Sequence, residues 1–60
     1  RTVVIDPTIG FGRPIVQRRG ISTDVLVGRI DAGEELDAVA EDYELTPDEV
    51  RDAIVYERAA

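Results

Sequence analysis

Four residues, Thr46-Pro47-Asp48-Glu49, constrain this chain more than any others, because together they fix where one helix must begin. Thr at the N-cap accepts a backbone amide proton of the first turn, and Pro is pre-set for the first helical position. Glu three residues on reaches back to the Thr amide and completes a capping box. A helix is therefore expected from Pro47 to about Arg58, with Val50, Ala53, Ile54 and Glu57 on its inward stripe. Upstream, Leu36, Val39, Ala40 and Tyr43 recur at i, i+3, i+4 and i+7, one face of a second helix that opens near Glu34 or Glu35. The link between the two, residues 43–46 with apolar Leu45 inside it, is as short as a helix-turn-helix requires. Earlier still, Ser22 or Thr23 can cap a first helix, with Asp24 in its opening turn and Gly33 just past its end. Leu26 and Ile30 form its core stripe, flanked by Val25 and Val27.

Ahead of the helices lies a β-prone run, Val3, Val4 and Ile5, closed by Asp6-Pro7, where Pro lacks an N–H and favours a turn. Gly10 and Gly12 bracket Phe11, Pro14 precedes Ile15 and Val16, and Gly20 ends the segment, which reads as two short strands joined by a long turn. A lone hairpin is unstable in water, so these strands must lie on the helices, pair with another chain, or both. The expected fold is mainly α, a short N-terminal β-hairpin followed by a three-helix, homeodomain-like helix-turn-helix bundle. It forms one domain over residues 1–60, with a hairpin arm over 1–20 and the trihelical bundle over 21–60. A chain of this length buries only about 60% of the surface that its unfolded form exposes. With no Cys and no His, neither a disulfide nor zinc can reinforce it, which leaves oligomerisation or a partner. An opening Arg1 in place of Met is expected of a piece of a longer chain with a further domain upstream. No apolar run approaches the ~20 residues of a membrane span, and no charged-then-apolar leader opens the chain, so a cytoplasmic location is expected.

Catalysis finds little to work with. General-base and nucleophilic chemistry need a poised base, yet His is absent and the single serine, Ser22, is expected to serve as a cap. The carboxylates scatter along helix surfaces and do not converge on a bent loop, and no helix follows Gly10-Phe11-Gly12 closely enough to receive a phosphate. No catalytic residue, cofactor or metal ligand is expected, and the chain is read as a non-catalytic binding module. Its charge is divided unevenly: residues 1–20 carry four Arg and one Asp, and residues 21–60 carry three Arg and twelve acids. The acidic part is a poor footprint for nucleic acid, so Arg13, Arg18 and Arg19 are the candidates for any phosphate or acidic partner. The third helix occupies the recognition position of a helix-turn-helix, and Arg51 is its candidate DNA contact. Against that, Asp48, Glu49, Asp52 and Glu57 outnumber Arg51 and Arg58 there, which favours a scaffold role for the helix. Val55 and Tyr56 point away from the core stripe, and the strand holding Val3 and Ile5 has an edge open to strand addition. These four residues are the candidates for a dimer or partner interface.

The order Asp6-Pro7, Gly12-Arg13-Pro14, Arg19-Gly20-Ile21, the Gly33 break, Ala40-Glu41-Asp42-Tyr43, Leu45-Thr46, Val50, Ala53 and Tyr56-Glu57 resembles the VapB-like antitoxin family once catalogued as domain of unknown function 433. The resemblance covers about residues 5–57. Phe11 and the Arg18-Arg19 pair resemble the subgroup in which this domain follows a separate N-terminal DNA-binding domain. The resemblance implies a trihelical fold with an N-terminal hairpin, a prokaryotic cytoplasm, and pairing with a toxin of PIN-like ribonuclease type. Such a nuclease works through clustered carboxylates and a divalent metal, so an inhibitor that presents a cation to those acids could block it. Arg13, Arg18 or Arg19 is expected in that role. Two further readings stay open: a homodimer with Val3, Ile5, Val55 and Tyr56 at the seam, and a transcriptional regulator that reads its operator through the helix-turn-helix.

Overall fold

In the computed structural model, which describes residues 1–59, the capping box forms as the sequence requires. The Thr46 amide donates to Glu49 Oε1 at 2.8 Å, the Glu49 amide donates to Thr46 Oγ1 at 3.2 Å, and helix α3 runs from Pro47–Ala59. Val50 and Ala53 are fully buried, with Ile54 and Glu57 half-buried beside them. Helix α2 spans Leu36–Asp42 and buries Val39 and Ala40. In the turn between α2 and α3, Glu44 takes a left-handed φ of 57°, the Leu45 amide closes on the Ala40 carbonyl at 2.8 Å, and the Leu45 side chain drops into the core.

Helix α1, Thr23–Asp31, ends in a Schellman arrangement. Gly33 sits at a φ of 97° while its amide donates to the Ile30 carbonyl and the Glu34 amide donates to that of Arg29. Arg29 then fastens this corner to α2, donating to Glu34 and Asp42 with its guanidinium 5.3 Å from the Tyr43 ring centre. The inward stripe of α1 is rotated from the expected one: Leu26 and Val27 are buried, Ile30 is at the edge, and Val25 faces solvent. Ser22 occupies the N-cap position by its backbone, but its hydroxyl bonds the Asp24 carboxylate and caps no amide.

The expected hairpin gains a third strand. Strand β1 (Val3–Ile5) pairs antiparallel with β2 (Pro14–Val16), and β2 pairs on its other side with β3 (Ile21–Ser22), which leads straight into α1. Residues 17–20 turn tightly between β2 and β3, with the Gly20 amide donating to the Val16 carbonyl at 2.8 Å. Both edges of β2 are paired, and both of its faces are covered as well. Val16 joins Leu26, Val39, Leu45, Val50 and Ala53 in the core, while Ile15 is buried on the opposite face beneath the 3-10 turn Gly10–Gly12. That turn lies so close that a Cβ on Gly10 would come within 2.8 Å of Ile15 Cγ2. The buried Thr23 hydroxyl donates to Glu57 at 2.6 Å, tying the start of α1 to the end of α3. No helix of the described residues is long and apolar enough to cross a membrane.

Candidate functional site

The β2–β3 turn carries Arg18 and Arg19 to the N-terminal end of α3, which explains how residues so distant in sequence meet. Arg18 places a bidentate fork on Glu49, with Nε 2.9 Å and Nη2 2.7 Å from its carboxylate oxygens, and Nη2 also donates to the Glu44 carbonyl at 2.8 Å. Arg19 pairs with the Glu44 carboxylate and reaches the same carbonyl. The Glu49 side chain is only 16% exposed. Its carboxyl is pulled down to about 2, first by the Arg18 hydrogen bonds and then by the Thr46 amide. Arg18 therefore closes the hairpin onto α3, and Arg19 ties it to the turn between α2 and α3.

Arg13 lies elsewhere, at the start of α1, paired with Asp24 at 2.5 Å. The Asp24 carboxyl is held below its usual range, chiefly by the Ser22 hydroxyl and further by Arg13. Arg13 remains 61% exposed in its side chain. The three candidate cations thus form no single cluster: Arg18 and Arg19 share Glu44, and Arg13 stands with α1. Arg51 bonds Asp48 one turn back along α3 at 2.7 Å, in solvent.

The four candidate interface residues do come together. Strand β1 and α3 leave two shallow grooves between them. One, of about 300 Å³, is lined by Val3, Val55 and Tyr56 together with Arg1, Thr2 and Asp52; the other, of about 350 Å³, is lined by Arg1, Val3, Val4, Ile5 and Tyr56. Val55 is 65% exposed and Ile5 59% exposed.

One residue of the surface escaped sequence reasoning. Phe11 is wholly exposed, at a left-handed φ of 56° between Gly10 and Gly12, which share that sign of φ. Ile9 beside it is also exposed. The signal was present in the sequence as an aromatic between two turn glycines, where no strand or helix periodicity supplies it with a buried face.

Residues 3–56 match the family described as "Protein of unknown function (DUF433)". The chain is 42% identical over 52 residues to a Mycobacterium tuberculosis protein named "Putative antitoxin VapB45", an alignment that covers 87% of this chain and 22% of that protein. It also superposes on the X-ray crystal structure of Rv2018 from Mycobacterium tuberculosis with a TM-score of 0.80 at 42% identity, covering 87% of this chain and 24% of that one. The chain thus spans less than a quarter of the length of these relatives. With the family match running from β1 to α3, the chain belongs to the DUF433 family.

Proposed function

We propose that this domain is the toxin-binding part of an antitoxin in a type II toxin–antitoxin pair, acting in a prokaryotic cytoplasm by association and not by catalysis. The observation that carries the proposal is Phe11. Left-handed backbone costs a non-glycine residue about 1 kcal/mol. A wholly exposed ring returns none of that cost to the fold. Rigid aromatic side chains of this kind are the anchors on which protein interfaces concentrate their binding energy.

Arg13, two residues on, supplies the charge. Its pair with Asp24 is exposed on both sides, and such pairs contribute about 0–1 kcal/mol, so a toxin carboxylate can replace Asp24 at little cost. Arg18 can join only by letting go of Glu49 on α3, and Arg19 by leaving Glu44 in the turn before it. The family resemblance implies a PIN-like ribonuclease as the toxin, and its metal-binding acids would meet Arg13 while Phe11 packs beside the cleft.

Isothermal titration of the chain against the toxin encoded beside it tests the reading. Phe11→Ala is expected to weaken binding about 30-fold or more, as a hot-spot residue does, with no loss of thermal stability. Arg13→Ala is expected to weaken it about tenfold, within the range of hydrogen bonds to charged groups. Wild-type affinity in Phe11→Ala overturns the proposal, and wild-type affinity when Arg13, Arg18 and Arg19 are all replaced by Ala removes the arginines from it.

A further inference from the structure

We infer that the toxin-binding surface continues from Arg13 across Asp24 onto the outer face of α1, and that Gly28 is the residue that lets the toxin's main chain close on that helix. The inference rests on the toxin-binding reading above. Gly28 lies inside α1 at a negative φ, whereas the other four glycines each take a positive φ, which gives the fold a reason for them. Gly28 has no such reason. A Cβ built on it meets nothing within 4 Å, so no neighbouring element needs the space. A glycine inside a helix lowers the folding equilibrium about fivefold relative to alanine, and so small a domain has little stability to give up. The residue costs the fold something and returns nothing within this chain.

Helical spacing places Gly28 at the centre of the outward face, with Asp24 and Val25 one turn before it and Asp31 and Ala32 one turn after. Thr23, Leu26 and Val27 point the other way, into the fold. Val25 is 46% exposed, and Gly28 and Ala32 face solvent. Asp24 joins this face to the candidate site, because its carboxylate holds Arg13 at 2.5 Å. A toxin carboxylate that takes Arg13 from Asp24 must stand over the first turn of α1, where residues four apart lie only about 5–6 Å from one another. Phe11 and Arg13 are too few to make a stable interface by themselves. One of ordinary size buries about 800 Å² on each partner, roughly a fifth of the 3901 Å² that this chain exposes. Extending it along α1 adds Val25, an apolar side chain with no inward use, and Gly28, over which the toxin's backbone can approach the helix without meeting a side chain. The occupant is thus the same toxin that Arg13 serves, and not a further partner.

Gly28→Ala and Gly28→Gln in the whole 60-residue chain test this. Both are expected to raise Tm, by roughly 5 °C for alanine, because the fold gains helix propensity and loses no contact. Calorimetric titration against the toxin encoded beside the chain is nevertheless expected to show Gly28→Gln binding about tenfold more weakly, and Gly28→Ala weakened less. Ala38→Gln, an exposed position on α2, is expected to bind as wild type. The opposed signs separate a contact from a folding defect, since a structural role for Gly28 lowers Tm and affinity together. Wild-type affinity in Gly28→Gln overturns the inference, and so does a lowered Tm in Gly28→Ala, which gives the glycine a use inside the fold. If Phe11→Ala weakens binding and Gly28→Gln does not, only the extension along α1 falls. If the wild-type chain does not bind the toxin at all, the proposed function falls and takes this inference with it.

Discussion

Replacing Glu49 by Gln isolates the contact on which the hairpin and α3 meet. The folded carboxyl lies at about 2 against an ordinary 4.5. At about 1.4 kcal/mol per pH unit, the full linkage is on the order of 3 kcal/mol. Arg18 is 49% exposed, so water screens its side of the pair, and about 2 kcal/mol is the expected contribution. Because the folded pKa lies below the unfolded one, the unfolded chain takes up the extra proton. The stabilisation is complete above pH 4.5 and is lost as the pH falls toward 2. Urea unfolding followed by circular dichroism is expected to show Glu49→Gln about 2 kcal/mol less stable at neutral pH, a drop in Tm of roughly 10 °C for a domain this small. Near pH 2 the difference should shrink below about 0.5 kcal/mol. The lowered carboxyls of Asp24, Asp31 and Glu34 titrate in both proteins and cancel in that difference. A wild-type advantage that stays constant from neutral pH to pH 2 would refute the reasoning, since the loss would then come from packing and not from charge.

Gly10→Ala combines a φ of 64° with a Cβ 2.8 Å from Ile15 Cγ2 and is expected to lose about 2 kcal/mol, whereas Gly12→Ala, whose Cβ meets nothing within 4 Å, loses about 1 from backbone alone; equal losses in urea titrations would show that the loop does not press on Ile15. Phe11→Gly should leave stability unchanged or slightly raised while weakening toxin binding, and a thermal-stability loss above about 1 kcal/mol would assign the ring a role in the fold. Leu26→Ala removes a fully buried side chain and is expected to cost about 3 kcal/mol. Against the few kcal/mol that hold so small a domain, this leaves much of the chain unfolded at 37 °C by circular dichroism.

What local chemistry dictates was legible in the sequence: the box at Thr46 and Glu49, the break at Gly33, and the shared face of Leu36, Val39, Ala40 and Tyr43. Strand β3 was not, because Ile21–Ser22 is too short for any periodicity and Ser22 also opens α1. Val25 and Val27 could not be told apart for a related reason. In a helix of nine residues, a small rotation decides which of two flanking valines meets the core. The partners of Arg18 were out of reach altogether, since Glu49 lies 31 residues away and only the turn between β2 and β3 brings them together. Of the surface shared by β1 and α3, the sequence singled out Val3, Ile5, Val55 and Tyr56, which the fold sets around the same grooves, and it read Phe11 only as part of a turn, since large aromatic side chains usually find a core.

The division of charge along the chain does not survive folding. Arg13, Arg18 and Arg19 from the basic end are met by Asp24, Glu49 and Glu44 from the acidic end, and Arg29, Arg51 and Arg58 find their own acids. A phosphate or acidic partner approaching Arg13, Arg18 or Arg19 would therefore have to displace a carboxylate before gaining the cation. Exposed beside these ion pairs stand the large apolar side chains Phe11, Ile9 and Ile5, with Val55 on α3. Toxin binding carried by such a surface is expected to change by less than about tenfold between 50 and 200 mM salt, whereas a protein that neutralises several phosphates loses about a thousandfold or more over that range. A titration series in salt decides between them. A steep loss of toxin affinity would place the binding energy in Arg13 and its neighbours and take it away from Phe11.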